Sequence, residues 1–191
     1  MLNKARTRVV GFDPGLTRCG FGVVEKGKSR EVEFVEVGVF TSPKEMDSNE
    51  RIALIGDEVA ELLDRVKPDQ IAIERLFAQQ NLHSVMGVAQ ISGVIVYLAH
   101  RRGIPVTFYT PTEVKAAVTG SGRAQKAQVS RMVVQILKLK EIPKPADAAD
   151  ALAIAITLAW RGGKEKPAQL SKETKAQEKW RTAISQAKNT Q

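Results

Sequence analysis

The chain has 191 residues, 29 of them Lys or Arg against 21 Asp or Glu, for a net charge of +8. That length suits one domain with a buried core plus a tail and is tight for two. No apolar run approaches the roughly 18 residues of a membrane span, MLNKARTR lacks the apolar core of a signal peptide, and one cysteine, Cys19, allows neither an internal disulfide nor a thiolate zinc site, so a cytoplasmic protein off the membrane is expected.

The positive charge is unevenly placed. Lys4, Arg6 and Arg8 carry the N-terminus, residues 161–191 hold eight basic and three acidic groups, and residues 9–160 balance at 18 of each. Within that neutral body residues 9–74 carry 8 basic and 14 acidic groups, whereas residues 98–145 carry 9 and 2. Such segregation suggests a basic face for a polyanion; an unevenly charged solvated surface is the plainer reading.

Val9, Val10 and Phe12 predict a strand stopped by Pro14-Gly15 directly after Asp13. With period 2, Asp13 shares a face with Gly11 and Val9, and the small neighbour is expected to leave room for an ion or a phosphate. Alone, Asp13 could equally be a turn-forming Asp before Pro-Gly. A second strand follows, then a third, Glu31 to Phe40, which alternates acids or glycine with Val and Phe and reads as an edge. These three form an antiparallel meander.

Asp47-Ser48-Asn49-Glu50 has a capping-box pattern, and Ile52, Ile55, Val59, Leu62, Leu63 and Val66 recur at helical spacing up to Pro68. Gln70 to Glu74 is a short strand, parallel to the first because a helix separates the two. It too ends on an acid. Asn81 is a candidate cap for a helix from Leu82 to Arg102, which has too many apolar positions for one stripe; the sheet is expected on one side, and a second copy of the protein or another helix on the other. Pro105 to Tyr109 is the fifth strand. Thr110-Pro111-Thr112-Glu113 starts a short helix through Val118, Gly120-Ser121-Gly122 breaks it, and Gln125 to Leu139 is amphipathic. The last helix runs from about Ala146-Asp147 to Trp160, and beyond Gly162 the composition predicts a disordered basic tail.

Asp147 and Asp150, three apart, share one face of that last helix near its start. Capping and the helix dipole explain acids there without any chemistry. Combined with Asp13 and Glu74 at the carboxyl ends of adjacent parallel strands, where open α/β sheets form their ligand crevice, they make four acids that would repel one another. A pair of divalent cations resolves that repulsion, and hard oxygen donors select magnesium or manganese.

The element order and the motifs GFDPG at Gly11 to Gly15, AIER with Phe77 after it, Val114 to Val129, and ADAADALAIAI at Ala146 to Ile156 closely resemble the RuvC family of Holliday-junction resolvases. The resemblance covers about residues 8–160. It implies an α/β, ribonuclease H-like five-stranded mixed sheet, three antiparallel strands then two parallel, flanked by helices. Residues 1–7 would be a basic extension, 8–161 the nuclease domain and 162–191 the tail. It further implies a homodimeric, magnesium-dependent endonuclease that nicks four-way DNA junctions in pairs, in repair by recombination and after RuvAB. Asp13, Glu74, Asp147 and Asp150 match the family's catalytic, metal-binding acids; some relatives look to have His at the Asp147 position. Two Mg2+ per site are implied, with Mn2+ as substitute, and Asp13 is the candidate bridge. Lys115 and Lys126 match basic positions placed to hold a phosphate, Phe77 resembles an aromatic that stacks on an opened base, and Arg123 is a further candidate DNA contact. His83 is expected on the helix surface and not as a catalyst, and His100 as a helix-end charge contact or a phosphate contact. A junction-binding scaffold without catalysis and a ribonuclease H-like nuclease acting on RNA or branched intermediates are the alternatives. An actin-like ATPase needs two such domains, for which the chain is too short.

Overall fold

A computed structural model describes residues 6–75 and 82–162, with the side chains of 82–84 outside the description. Its strands are β1 (Thr7–Asp13), β2 (Arg18–Lys26), β3 (Val32–Thr41), β4 (Gln70–Glu74) and β5 (Val106–Tyr109). Its helices are α1 (Ser48–Val66), α2 (Leu82–Arg101), α3 (Pro111–Thr119), α4 (Lys126–Leu137) and α5 (Ala146–Arg161). The strands lie in the order β3-β2-β1-β4-β5. β1 pairs antiparallel with β2 and parallel with β4, β2 antiparallel with β3, and β4 parallel with β5. This is the expected mixed sheet, with β3 at one edge.

Strand alternation divides the interior into two cores. Val10, Phe12, Val23, Ile71 and Ile73 face α1 and α2, joining Ile55, Val59, Leu62, Ile91 and Ile95. Val9, Val24 and Ala72 face the other way, onto Leu152, Ile154 and Ile156 of α5 and onto α3 and α4 through Val114 and Val133. Eleven residues of α5 are buried, including all from Ala151 to Ala159, so this helix is the central element of its layer.

The α5 layer corrects one expectation. A Cβ at Gly11 would stand 2.4 Å from Ala151 O and 2.4 Å from Ala155 N; one at Gly20 would stand 2.3 Å from Asp147 O; one at Gly22 would stand 2.7 Å from Leu152 N. The space beside Asp13 that Gly11 was expected to leave for an ion is occupied by the α5 backbone. The glycines bring helix and sheet closer than side chains allow.

The Asp47 carboxylate caps α1 by accepting from Asn49 N, in place of the reciprocal box expected with Glu50. Thr110 and Glu113 do form the full box at α3. α2 packs on the sheet through Ile91, Ile95 and Ala99 and also lies against α1, while Met86 and Tyr97 stay exposed. A helix of the same chain therefore covers part of the flank for which a second copy was one expectation. Arg6 and Arg8 pair with Glu33 and Glu25, which neutralises much of the positive charge at that end. No described helix is long and apolar enough to cross a membrane.

Candidate active site

Phe12 pairs with Ile73 in the parallel register and Asp13 pairs with Gly20 in the antiparallel one. Asp13 and Glu74 therefore end adjacent strands on the face that α5 covers. Gly20 admits the Asp147 carbonyl to the sheet surface, and one helical turn sets Asp150 on the same side as Asp147. All four sequence-predicted acids thus meet at the carboxyl ends of β1 and β4.

At the sheet, burial and mutual repulsion outweigh the attraction of Lys126 and Lys115. The Asp13 carboxyl is pushed up to about 8, first by burial and then by the negative charges of Glu74, Asp150 and Asp147. Glu74 is also raised, by burial and then by Asp150. Each helix acid instead meets a cation. Lys126 Nζ lies 2.5 Å from Asp150 Oδ2 and Arg18 Nε lies 2.8 Å from Asp147 Oδ2. The Arg18 contact is an ion pair without hydrogen-bond alignment, because the buried Asp147 Oδ2 still has no hydrogen-bond partner. The Asp150 contact and neighbouring acids raise Lys126, keeping it charged.

Hard carboxylates, a repelled Asp13 and an unsatisfied Asp147 oxygen form a donor set that fits divalent cations. Among the described residues, no group of three or more His, Cys, Asp or Glu side chains is arranged to hold a metal ion. Arg18 and Lys126 occupy two of the carboxylates instead.

Lys115 and Lys126 lie beside Glu74 and Asp150 around an open cavity of about 240 Å³, floored by Val114, Val129, Ala153 and Ile154. The expected pair of lysines therefore does reach the acids. Arg123 is exposed in the turn between α3 and α4 and does not line this cavity. His100 is exposed in the last turn of α2. Phe77 and Asn81 lie outside the described residues, as does the side chain of His83. Burial pushes the Cys19 thiol up to about 12, which removes it as a nucleophile near neutral pH.

Arg18 is the site residue that sequence reasoning missed. Its signal was a cation two positions before Gly20, on the face that Gly20 and Gly22 share. The turn between Asp13 and Arg18 is braced from outside: Arg51 donates to Ser42 Oγ at 2.9 Å and to Thr17 Oγ1 at 2.7 Å, and Ser42 Oγ donates to Leu16 O at 2.5 Å.

A sheet of this topology, with acids at adjacent strand ends and on the covering helix, is that of the ribonuclease H-like class of folds. The family described as crossover junction endodeoxyribonuclease RuvC matches residues 9–158. The chain is 58% identical to the crossover junction endodeoxyribonuclease RuvC of Leifsonia xyli over 82% of its length and 75% of that protein's. It is 51% identical to that of Renibacterium salmoninarum over 95% and 94%. It superposes on Thermus thermophilus RuvC in complex with a Holliday junction substrate with a TM-score of 0.77 and 36% identity, covering 81% of this chain and 93% of the other. The chain belongs to the RuvC family of crossover junction endodeoxyribonucleases.

Proposed function

We propose that this chain resolves four-way DNA junctions by paired symmetric nicks, with Asp13, Glu74, Asp147 and Asp150 as the acids of its active site. The observation that carries the reading is the meeting of two strand-end acids with two helix acids; burial first, and then these neighbouring charges, push Asp13 up to about 8. Separate structural roles for the four acids would not require them to share one face. A pair of divalent cations, magnesium with manganese as substitute, would activate a water and steady the departing sugar oxygen. Asp13, central in the sheet, would hold the ions together with Glu74, Asp147 and Asp150.

The protein's own residues position the DNA. Lys115 and Lys126 supply point charges beside the acids for the backbone next to the cut, and the exposed Arg123 supplies a more peripheral phosphate contact. Phe77, directly after the catalytic strand, is assigned to stacking on a base opened at the junction centre. In-line attack leaves a 5′-phosphate and a 3′-hydroxyl. The bound Holliday junction of the Thermus structure supports the substrate; action in the cytoplasm after RuvAB is part of the same proposal. Residues 1–7 and 162–191 would flank the nuclease domain, and the basic 162–191 would add non-specific DNA affinity.

Two cuts placed symmetrically in one junction need two active sites, which supports a homodimer. Met86 and Tyr97 of α2 are the most exposed of the described large apolar side chains, and this face would join two copies. Tyr97→Arg is expected to shift the protein toward monomer in sedimentation and to convert paired nicks into single ones. A variant that stays dimeric with paired cuts would place the interface elsewhere.

The deciding experiment is cleavage of a synthetic four-way DNA junction beside a linear duplex of matching sequence, with and without magnesium. Symmetric magnesium-dependent nicks in the junction alone are expected. Junction binding without cleavage would indicate the scaffold, and cleavage of RNA instead would indicate a ribonuclease.

A further inference from the structure

Arg18 forms an ion pair with an acid to which the proposed function gives a metal, and nothing in that chemistry uses it. It belongs to β2, and period 2 aligns it with Gly20 and Gly22 on the side facing α5. Its side chain is 58% exposed, whereas the Asp147 oxygen it approaches at 2.8 Å is buried without a hydrogen bond. A fixed structural pair would satisfy that oxygen with directed N–H groups, as Arg65 does for both oxygens of Glu36. Arg18 lies near Asp147 without that alignment and keeps most of its surface in solvent.

Retaining a structural pair would also gain little, because exposed pairs of this kind contribute little stability. The backbone beneath Arg18 is nonetheless held closely. A Cβ on Gly15 would stand 2.3 Å from Arg18 O, and the Arg51, Ser42 and Thr17 contacts fix the turn from its far side. A long cation on an anchored stem, at the mouth of an acidic site, can swing between a carboxylate and a nearby phosphate. Across the site Lys126 meets Asp150 differently, at 2.5 Å and with a hydrogen bond.

We propose that Arg18 is the resident counterion of Asp147, displaced when a divalent cation is taken up, and that it then turns outward to a phosphate of the bound DNA. The inference rests on the proposed metal site. By occupying Asp147, Arg18 weakens ion uptake before DNA arrives; by leaving it, Arg18 adds a DNA contact when the metal enters. Arg18 is therefore a positioning residue for the ion and a binding residue for the DNA.

The test compares wild type, Arg18→Gln and Asp13→Asn by calorimetric titration with Mn2+ in the absence of DNA. Salt-dependent binding of an uncleaved four-way junction in EDTA and in Ca2+ forms the second measurement. Arg18→Gln is expected to bind Mn2+ about tenfold more tightly, since a competing charge a few ångströms away is gone. In Ca2+ its plot of log K against log salt should be shallower by about 0.9 for each active site engaged, and in EDTA the change should be smaller. Arg18→Lys should keep much of the salt slope. Unchanged Mn2+ affinity in Arg18→Gln overturns the counterion role, and an unchanged slope in Ca2+ overturns the phosphate role. If Asp13→Asn also leaves Mn2+ uptake unchanged, the ion binds elsewhere and the metal reading of the site falls too. Weakened uptake in Asp13→Asn beside an unaltered Arg18→Gln overturns this inference alone.

Discussion

Asp13→Asn is expected to lower cleavage of a four-way junction by roughly 10³-fold or more, by removing the central charge that the proposed ion pair needs. The substitution keeps nearly the same volume, so junction binding in EDTA should survive. It should also make the metal-free protein more stable. The Asp13 carboxyl is raised to about 8 from 3.8, so between those values the native state holds a proton that the unfolded chain releases. Stability then falls as pH rises from about 4 to about 8, and the loss is complete above that window. Below pH 4 both states are protonated and Asp13 contributes nothing. At about 1.4 kcal/mol per unit, with the partial exposure of Asp13 reducing the full value, the penalty at pH 8.5 amounts to a few kcal/mol.

Thermal melts of the wild type and Asp13→Asn in EDTA should therefore diverge with increasing pH, the mutant melting higher at pH 8.5 and about equal at pH 4. Magnesium should close the gap by stabilising the wild type. A mutant less stable than the wild type at pH 8.5 without metal would show that Asp13 serves folding, and the assignment of its charge to chemistry would fail.

The second large effect is expected at a residue with no functional group. In Gly20→Ala the new methyl would stand 2.3 Å from Asp147 O and 2.8 Å from Asp147 C, both backbone atoms. Neither can rotate away, so the first turn of α5 must lift from the sheet. Overpacking of this kind costs typically ~1–3 kcal/mol. The larger consequence is on the chemistry, because a shift of about 1 Å at Asp147 costs on the order of 10²-fold in rate. Denaturant midpoints should fall modestly while cleavage falls steeply and junction binding in EDTA persists. Wild-type rates in Gly20→Ala would mean that α5 can shift without disturbing the acids, and would remove Asp147 from a demanding role.

The candidate site was unevenly legible before the structure. Asp13 and Glu74 could be placed because each ends an apolar run at a turn or a change of period, and two strands separated by one helix run parallel. Asp147 and Asp150 could be placed on one helix face from their spacing alone. Lys115 and Lys126 became candidates only through resemblance to a family, since a lysine on an exposed helix has no spacing that marks it.

Arg18 had only the signal of its place on the face that Gly20 and Gly22 share. Its role depends on the contact of β2 with α5, elements separated by more than a hundred residues, and on a glycine two positions away. Gly11 was read as making room because period 2 specifies which face a residue occupies and is silent on what packs there. The exposed stripe of α2 shows the same limit: apolar excess identified a helix with two covered flanks, while only the packing showed that α1 takes one and that Met86 and Tyr97 remain outside.

By itself the sequence determined the element order, the acids at two strand ends and on one helix face as candidates, the segregation of charge and the resemblance to a family, because turns, periodicity and charge are local properties of the chain. The tertiary structure decided the close approach of α5 through Gly11, Gly20 and Gly22, the ion pairs of Arg18 and Lys126, and the raised Asp13 carboxyl. Those depend on distances and burial between segments remote in sequence, which no local pattern encodes.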